Sequence, residues 1–153
     1  MPLTKILVAT DHSESAQRAE AFAGTLAGPG YTLDISLLYV HPELPVRAGR
    51  GAVREVHRPT AALSDEEKAE MHALLSQAAS RIKGAAGSNA ITISEDMVGS
   101  SDIASTIVEE AEKAGVEAIV MGSRGRSDLA GLMLGSNSHK VLHLAHCPVV
   151  VVR

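Results

Sequence analysis

With 153 residues, 45% of them hydrophobic and 2% aromatic, and a formal charge of −4, the chain suits one soluble domain spanning 1–153 with an aliphatic core. The acidic balance supplies no field for a polyanion, and Phe22, Tyr31 and Tyr39 without any Trp supply no platform for stacked bases, so nucleic acid is not an expected partner. Cys147 is the only cysteine, which excludes an intrachain disulfide, and no apolar run approaches the ~20 residues of a membrane span, so a cytoplasmic protein with no membrane partner is expected.

Lys5 leads into Ile6-Leu7-Val8-Ala9, a short buried strand, and Thr10-Asp11-His12-Ser13 makes the turn out of it. Ala16, Ala19, Phe22, Ala23 and Leu26 recur at helical spacing over Ser15–Ala27, which Gly28-Pro29-Gly30 stops. Thr32–Val40 predicts a second strand. From His41 to Leu63 periodicity is lost, and the segment carries Arg47, Arg50, Arg54 and Arg58; a loop this long is usually functional or disordered. Ser64 followed by Glu67 predicts a capped helix running to about Lys83. Ala90–Val98 is a third strand, and Gly99-Ser100-Ser101-Asp102 caps a helix that ends at Gly115. Ala118–Met121 is a fourth strand, Ser136–Ala145 a fourth helix, and Val149–Val152 a fifth strand. Strands alternating with helices predict βαβ units and an open parallel sheet, with ligands beyond the carboxyl ends of its strands.

The informative stretch follows the fourth strand. It reads GSRGRSDLAGLMLGS, with Gly122 and Gly125 three apart and Gly135-Ser136 ten further on, at a helix start. A strand, a glycine-rich loop and a helix N-terminus together make a setting for a phosphate, held by main-chain N–H groups and the helix dipole. The glycines are expected to supply positive φ and to let a ligand approach the main chain. Ser136 is expected as N-cap, leaving the amides of Asn137 and Ser138 free.

Other residues admit two readings. Asp11 can cap the first helix, and it can also accept from a ribose hydroxyl or hold Mg²⁺ through water. Arg124 and Arg126 can screen phosphate charge or simply be solvated, as can the four arginines of the loop, either as a mobile lid or as solvated surface. His139, His143 and Cys147 are four apart, but Pro148 should swing Cys147 away, so that Cys147 packs as a small apolar residue. Gly49-x-Gly51 follows no strand and lacks a third glycine, and no GxxxxGK[ST] is present, so the chain is not a P-loop NTPase.

These features resemble the universal stress protein family, specifically its ATP-binding branch. The resemblance rests on the Gly122-x-x-Gly125, nine residues, Gly135-Ser136 signature. ILVATDHSESA (Ile6–Ala16), LLYV (Leu37–Val40), VGSSDIASTIVEEA (Val98–Ala111), AIVMGSRG (Ala118–Gly125) and HCPVVVV (His146–Val152) support it. It implies a Rossmann-like α/β fold of the adenine nucleotide alpha hydrolase type, five parallel strands ordered 3-2-1-4-5 with helices on both faces. It also implies an ATP site, with AMP or ADP as alternatives and Mg²⁺ as companion. Ala9 and Asp11 would line the end of the first strand, and the Val40 main chain would meet the adenine edge. Gly122, Ser123, Arg124, Gly125, Arg126, Ser127 and Asp128 would wrap ribose and phosphates. Gly135 and Ser136, with Asn137 and Ser138, would bind phosphate at the helix start. The segment 41–63 is the variable loop of such proteins, and a homodimer through Val149–Val152 is implied.

A nucleotide-dependent regulatory protein is the expected function. A slow ATPase or nucleotidyl transferase is the alternative, but phosphoryl transfer needs a positioned nucleophile and fixed cationic stabilisation, and no residue here is marked as the base. A non-nucleotide interaction module on the same fold is the second alternative.

Overall fold

The computed structural model describes residues 1–43, 47–48, 52–53, 63–124 and 133–153. In chain order these form β1 (Lys5–Ala9), α1 (Glu14–Thr25), β2 (Leu33–Pro42), β3 (Arg47–Ala48), β4 (Ala52–Val53), α2 (Asp65–Ala86), β5 (Ile91–Ser100), α3 (Ile103–Ala114), β6 (Ala118–Gly122), α4 (Ser136–Leu144) and β7 (Val149–Val152). Five strands make one parallel sheet in the order β5-β2-β1-β6-β7, the expected 3-2-1-4-5 arrangement. The order reverses at β1, so the carboxyl ends of β1, β2 and β6 open a crevice between them.

The central strand shows why the pattern is apolar throughout. Ile6 and Val8 face one core with α1 and α2, while Leu7 and Ala9 face the other with α3 and α4. A strand covered on both faces has no position left for a polar side chain. Met71, Leu75, Ala78, Ala79, Ile82 and Ala86 bury one stripe of α2. Gly24 lets α1 and α2 touch: a Cβ there would lie 2.3 Å from the Ile82 carbonyl oxygen.

Several boundaries differ from the sequence expectation. β2 continues to Pro42 and β5 to Ser100, because the two strands pair in register from Leu33↔Ile91 to Pro42↔Ser100. α2 carries Gly84 inside it and stops at Gly87, whose φ is 62°. Its start is the expected capping box: Ser64 Oγ accepts from the Glu67 amide, and the Glu67 carboxylate takes the Ser64 amide at 2.8 Å. That backbone bond from Ser64, with the Ser64 hydroxyl, holds the Glu67 carboxyl below its usual range. Within the expected 41–63 loop, β3 and β4 form a short antiparallel pair. Arg50, Arg54 and Arg58 lie outside the described residues, so the arginine lid does too.

Candidate functional site

The crevice is built first by the turn after β1. The Thr10 amide donates to the Leu38 carbonyl at 2.9 Å, the last bond joining β1 to β2. Successive residues of a parallel strand turn their main-chain groups to alternate neighbours. Val40, two past Leu38, therefore turns its own toward the same side, beyond the point where β1 stops at Ala9. Asp11 does not cap α1. Ser13 does, its hydroxyl accepting from the Ala16 amide at 3.2 Å, while Asp11 Oδ1 takes the Ser13 amide at 3.0 Å. Asp11 sits two residues too early for the cap and closes the turn instead.

The loop after β6 is clamped to that same helix start. Ser15 Oγ donates to the Arg124 carbonyl at 2.9 Å and accepts from the Arg124 amide at 3.2 Å, and Ser13 Oγ donates to the same carbonyl at 3.1 Å. The clamp explains Gly122, though not by the expected route. Its φ is not positive, and a Cβ there would lie 2.5 Å from Ser15 Oγ and 2.6 Å from the Ala16 amide nitrogen. The space a side chain would need is filled by α1, not kept for a ligand.

At α4 the cap also differs. Gly135 is the N-cap, with φ −60° and ψ 152°, and it makes no side-chain cap bond; Ser136 is the first helical residue. Gly135 holds this place because its amide donates to the Ser123 carbonyl at 2.7 Å, while its carbonyl accepts from the His139 amide at 2.9 Å. Its negative φ means no left-handed backbone demands glycine there. The amides of Ser136, Asn137 and Ser138 meet no acceptor among the described residues. Three adjacent main-chain donors at a helix start, uncapped, form the strongest anion-binding feature of the rim.

These parts face one cavity of about 250 Å³, which holds Ala9, Asp11, Val40, Gly122, Arg124, Asn137 and Ser138 among its walls. Ser123 does not line it: its amide donates to the Val152 carbonyl at 2.7 Å, making it a strut between β6 and β7. Ser138 is both wall and strut, its hydroxyl donating to the Gly122 carbonyl at 2.8 Å. Gly135 and Ser136 lie just outside the lining, and Gly125, Arg126, Ser127 and Asp128 fall outside the described residues. Ile103, Ile107 and Met121 complete an apolar wall that the sequence reading missed. Ile103 and Ile107 read in the sequence only as apolar residues of a helix, and nothing in such a pattern distinguishes a core contact from a cavity wall.

Two neighbouring features are settled by the same packing. Lys140 of α4 reaches Asp102, the N-cap of α3, at 2.6 Å. Burial alone would raise the Asp102 carboxyl, but bonds from Lys140 and from the Ser105 hydroxyl and amide outweigh it and hold the group below its usual range. His139 and His143 stand 4.6 Å apart between ring centroids, while Cys147 packs into the α3/α4 core. Burial raises its thiol, and no cluster of three metal-ligating side chains occurs among the described residues.

The sequence pattern of the universal stress protein family matches residues 2–153. The chain belongs to that family. It is 34% identical over 151 residues to the universal stress protein YxiE of Bacillus subtilis, covering 97% of this chain and 98% of that one. Its fold matches a universal stress protein crystallised in complex with cAMP, with a TM-score of 0.69, 23% identity, and coverage of 100% and 98%. It also matches one from Archaeoglobus fulgidus in complex with dAMP, with a TM-score of 0.66, 22% identity, and coverage of 100% of each chain. Among the described residues no helix is long and apolar enough to cross a membrane.

Proposed function

We propose that this chain is an ATP-binding member of its family, a cytoplasmic regulatory protein in the stress response whose conformation or assembly follows nucleotide occupancy. The observation that carries this reading is the run of three amides, Ser136 to Ser138, that meet no acceptor among the described residues and open beside a cavity with an apolar wall. A phosphate satisfies those donors, and the isoleucine and methionine side chains suit a base. Val40 supplies main-chain groups at the adenine edge, and Ala9 and Asp11 stand where the ribose would lie. Gly122 and Ser123 anchor the loop, Arg124 would meet phosphate charge, and Gly125, Arg126, Ser127 and Asp128, outside the described residues, would wrap ribose and phosphates. The adenine nucleotides in the two related complexes accord with this chemistry and leave AMP or ADP as alternative occupants.

Mg²⁺ fits the site as a companion of the phosphates. Asp11 is the one carboxylate among the described lining residues, so it would hold the ion through water while phosphate oxygens supply further ligands. A lone carboxylate already engaged with the Ser13 amide is a poor general base, which favours binding over phosphoryl transfer.

Calorimetric titration of the purified protein with millimolar Mg-ATP tests the reading. Saturable association is expected; an absence of heat overturns it in favour of a non-nucleotide interaction module. Sustained turnover near the ~1–10³ s⁻¹ of ordinary enzymes would replace the regulatory reading with an ATPase.

The proposed homodimer pairs β7 with its copy. Among the described residues β7 has a sheet partner on one side only, and Pro148 and Val152 turn their carbonyls toward β6, so Val151 turns its N–H outward. Val151→Pro removes that donor without breaking the sheet's own ladder and is expected to shift light-scattering mass toward monomer; unchanged mass at low micromolar concentration counts against pairing through this edge.

A further inference from the structure

Glu20 places a carboxylate where the pattern of α1 calls for an apolar side chain. Ala16, Ala19 and Ala23 share its buried face, and Glu20 itself exposes none of its surface. A charge in such a place persists only when it is paired and hydrogen-bonded. Two partners meet that need. Arg81 Nη1, from α2, lies 2.6 Å from one carboxylate oxygen, and the Thr10 hydroxyl donates to the other at 2.6 Å.

The donor inventory gives this chain a direction. A carboxylate in a salt bridge only accepts, so the single hydroxyl proton of Thr10 must point at Glu20. The Thr10 oxygen is thereby left as an acceptor, and the His12 amide donates to it at 3.1 Å. His12 has a φ of 64°, a left-handed backbone uncommon for a residue other than glycine, and its amide bond to Thr10 helps hold it there. Asp11 lies between Thr10 and His12, on the cavity wall. Arg81 thus orders Glu20, Glu20 orders Thr10, and Thr10 fixes the turn that presents Asp11.

We infer that Glu20 and Arg81, neither of which lines the cavity, are positioning residues for the nucleotide: through Thr10 and His12 they set where Asp11 stands, and so couple helix α2 to nucleotide affinity. The inference rests on the nucleotide reading above. A purely structural role for the pair predicts a different result, because exchanging a buried ion pair for apolar side chains of similar size is often neutral or stabilising. Glu20→Leu combined with Arg81→Met removes both charges together, so the fold keeps its stability while Thr10 loses its acceptor.

The experiment titrates Mg-ATP into the parent protein, the double variant, Thr10→Val and Thr10→Ser, and records a thermal melt of each. The double variant is expected to melt at or above the parent temperature yet bind about tenfold more weakly, a loss on the scale of one hydrogen bond. Thr10→Val should weaken binding by a similar factor, and Thr10→Ser, which keeps the hydroxyl, should bind as the parent does. A folded double variant with parental affinity overturns the inference and leaves the nucleotide reading standing. Should the double variant not fold, equal affinities for Thr10→Val and Thr10→Ser overturn it. Parent protein that gives no heat with Mg-ATP overturns the nucleotide reading itself, and this inference with it.

Discussion

Two helices begin at the same rim of the sheet, α1 after β1 and α4 after β6, and their first turns are capped differently. At α1 side chains fill the cap: Ser13 takes the Ala16 amide and Asp11 takes the Ser13 amide, while Ser15 secures Arg124; only the Glu14 and Ser15 amides of that turn meet no acceptor among the described residues. At α4 the cap is a glycine, and among the described residues the first three amides have no acceptor. A helix end whose cap is filled by its own side chains is a fixture, since a ligand arriving there must displace a bond already made. One that is undersupplied is a receptor, because the ligand provides what the fold withheld. Motif alone does not separate the two ends, as both carry serines beside the turn.

The comparison breaks most severely at Gly122, where the side-chain-capped end leans on the strand. Gly122→Ala would force its Cβ to within 2.6 Å of a main-chain nitrogen of α1, which no side-chain rotation relieves. A loss of about 2 kcal/mol is expected, read from urea unfolding, in line with overpacking elsewhere. Stability within ~0.5 kcal/mol of the parent would show that α1 is not seated firmly against the strand.

A sharper test converts the receptor into a fixture. Gly135→Asp gives α4 the side-chain cap it lacks at a backbone of φ −60° and ψ 152°, which any residue can adopt. Stability should rise by a few tenths of a kcal/mol. Mg-ATP affinity should fall about tenfold, since the new carboxylate competes for the amides and repels phosphate. Equal affinity in the two proteins would move the phosphates away from α4.

The smallest effect concerns the shoulder that steadies α4. Lys140→Met removes the Lys140–Asp102 contact, which is half-exposed, so the cost at neutral pH should stay below about 1 kcal/mol. The sign with pH is defined, because the Asp102 carboxyl is held below its usual range in the folded protein. Its contribution is present above the unfolded-state value of ~3.9 and disappears as pH falls through the lowered folded value. The difference between parent and variant should therefore shrink on acidification, and a gap that persists in strong acid would assign it to lost packing of the lysine stem.

Much of this was legible beforehand, for reasons that can be named. Ile6 to Ala9 and Ala118 to Met121 are apolar without alternation because both faces of those strands are covered, and such runs between helical segments admit few other arrangements. Ser64 with Glu67 fixed a helix start because the interaction is local, three residues apart. The cap of α4 was misplaced by one residue for the opposite reason. Gly135 is held by the Ser123 carbonyl, across a loop whose path no short-range rule specifies. The glycine at 122 was rightly singled out and wrongly explained, since the neighbour that requires it, Ser15, is distant in sequence.

Periodicity and turn chemistry by themselves determined the alternation of the five sheet strands with four helices, the parallel sheet, and the rim at which unusual residues gather, because each depends on interactions within a few residues or on the hand of the crossover. Only the folded chain decided which main-chain donors on that rim are already spent. Hydrogen bonds such as Ser123 to Val152, or Thr10 to Glu20, join residues whose proximity is a consequence of packing. A donor is either used or available, and that state depends on its three-dimensional neighbours and not on the letters beside it in the chain.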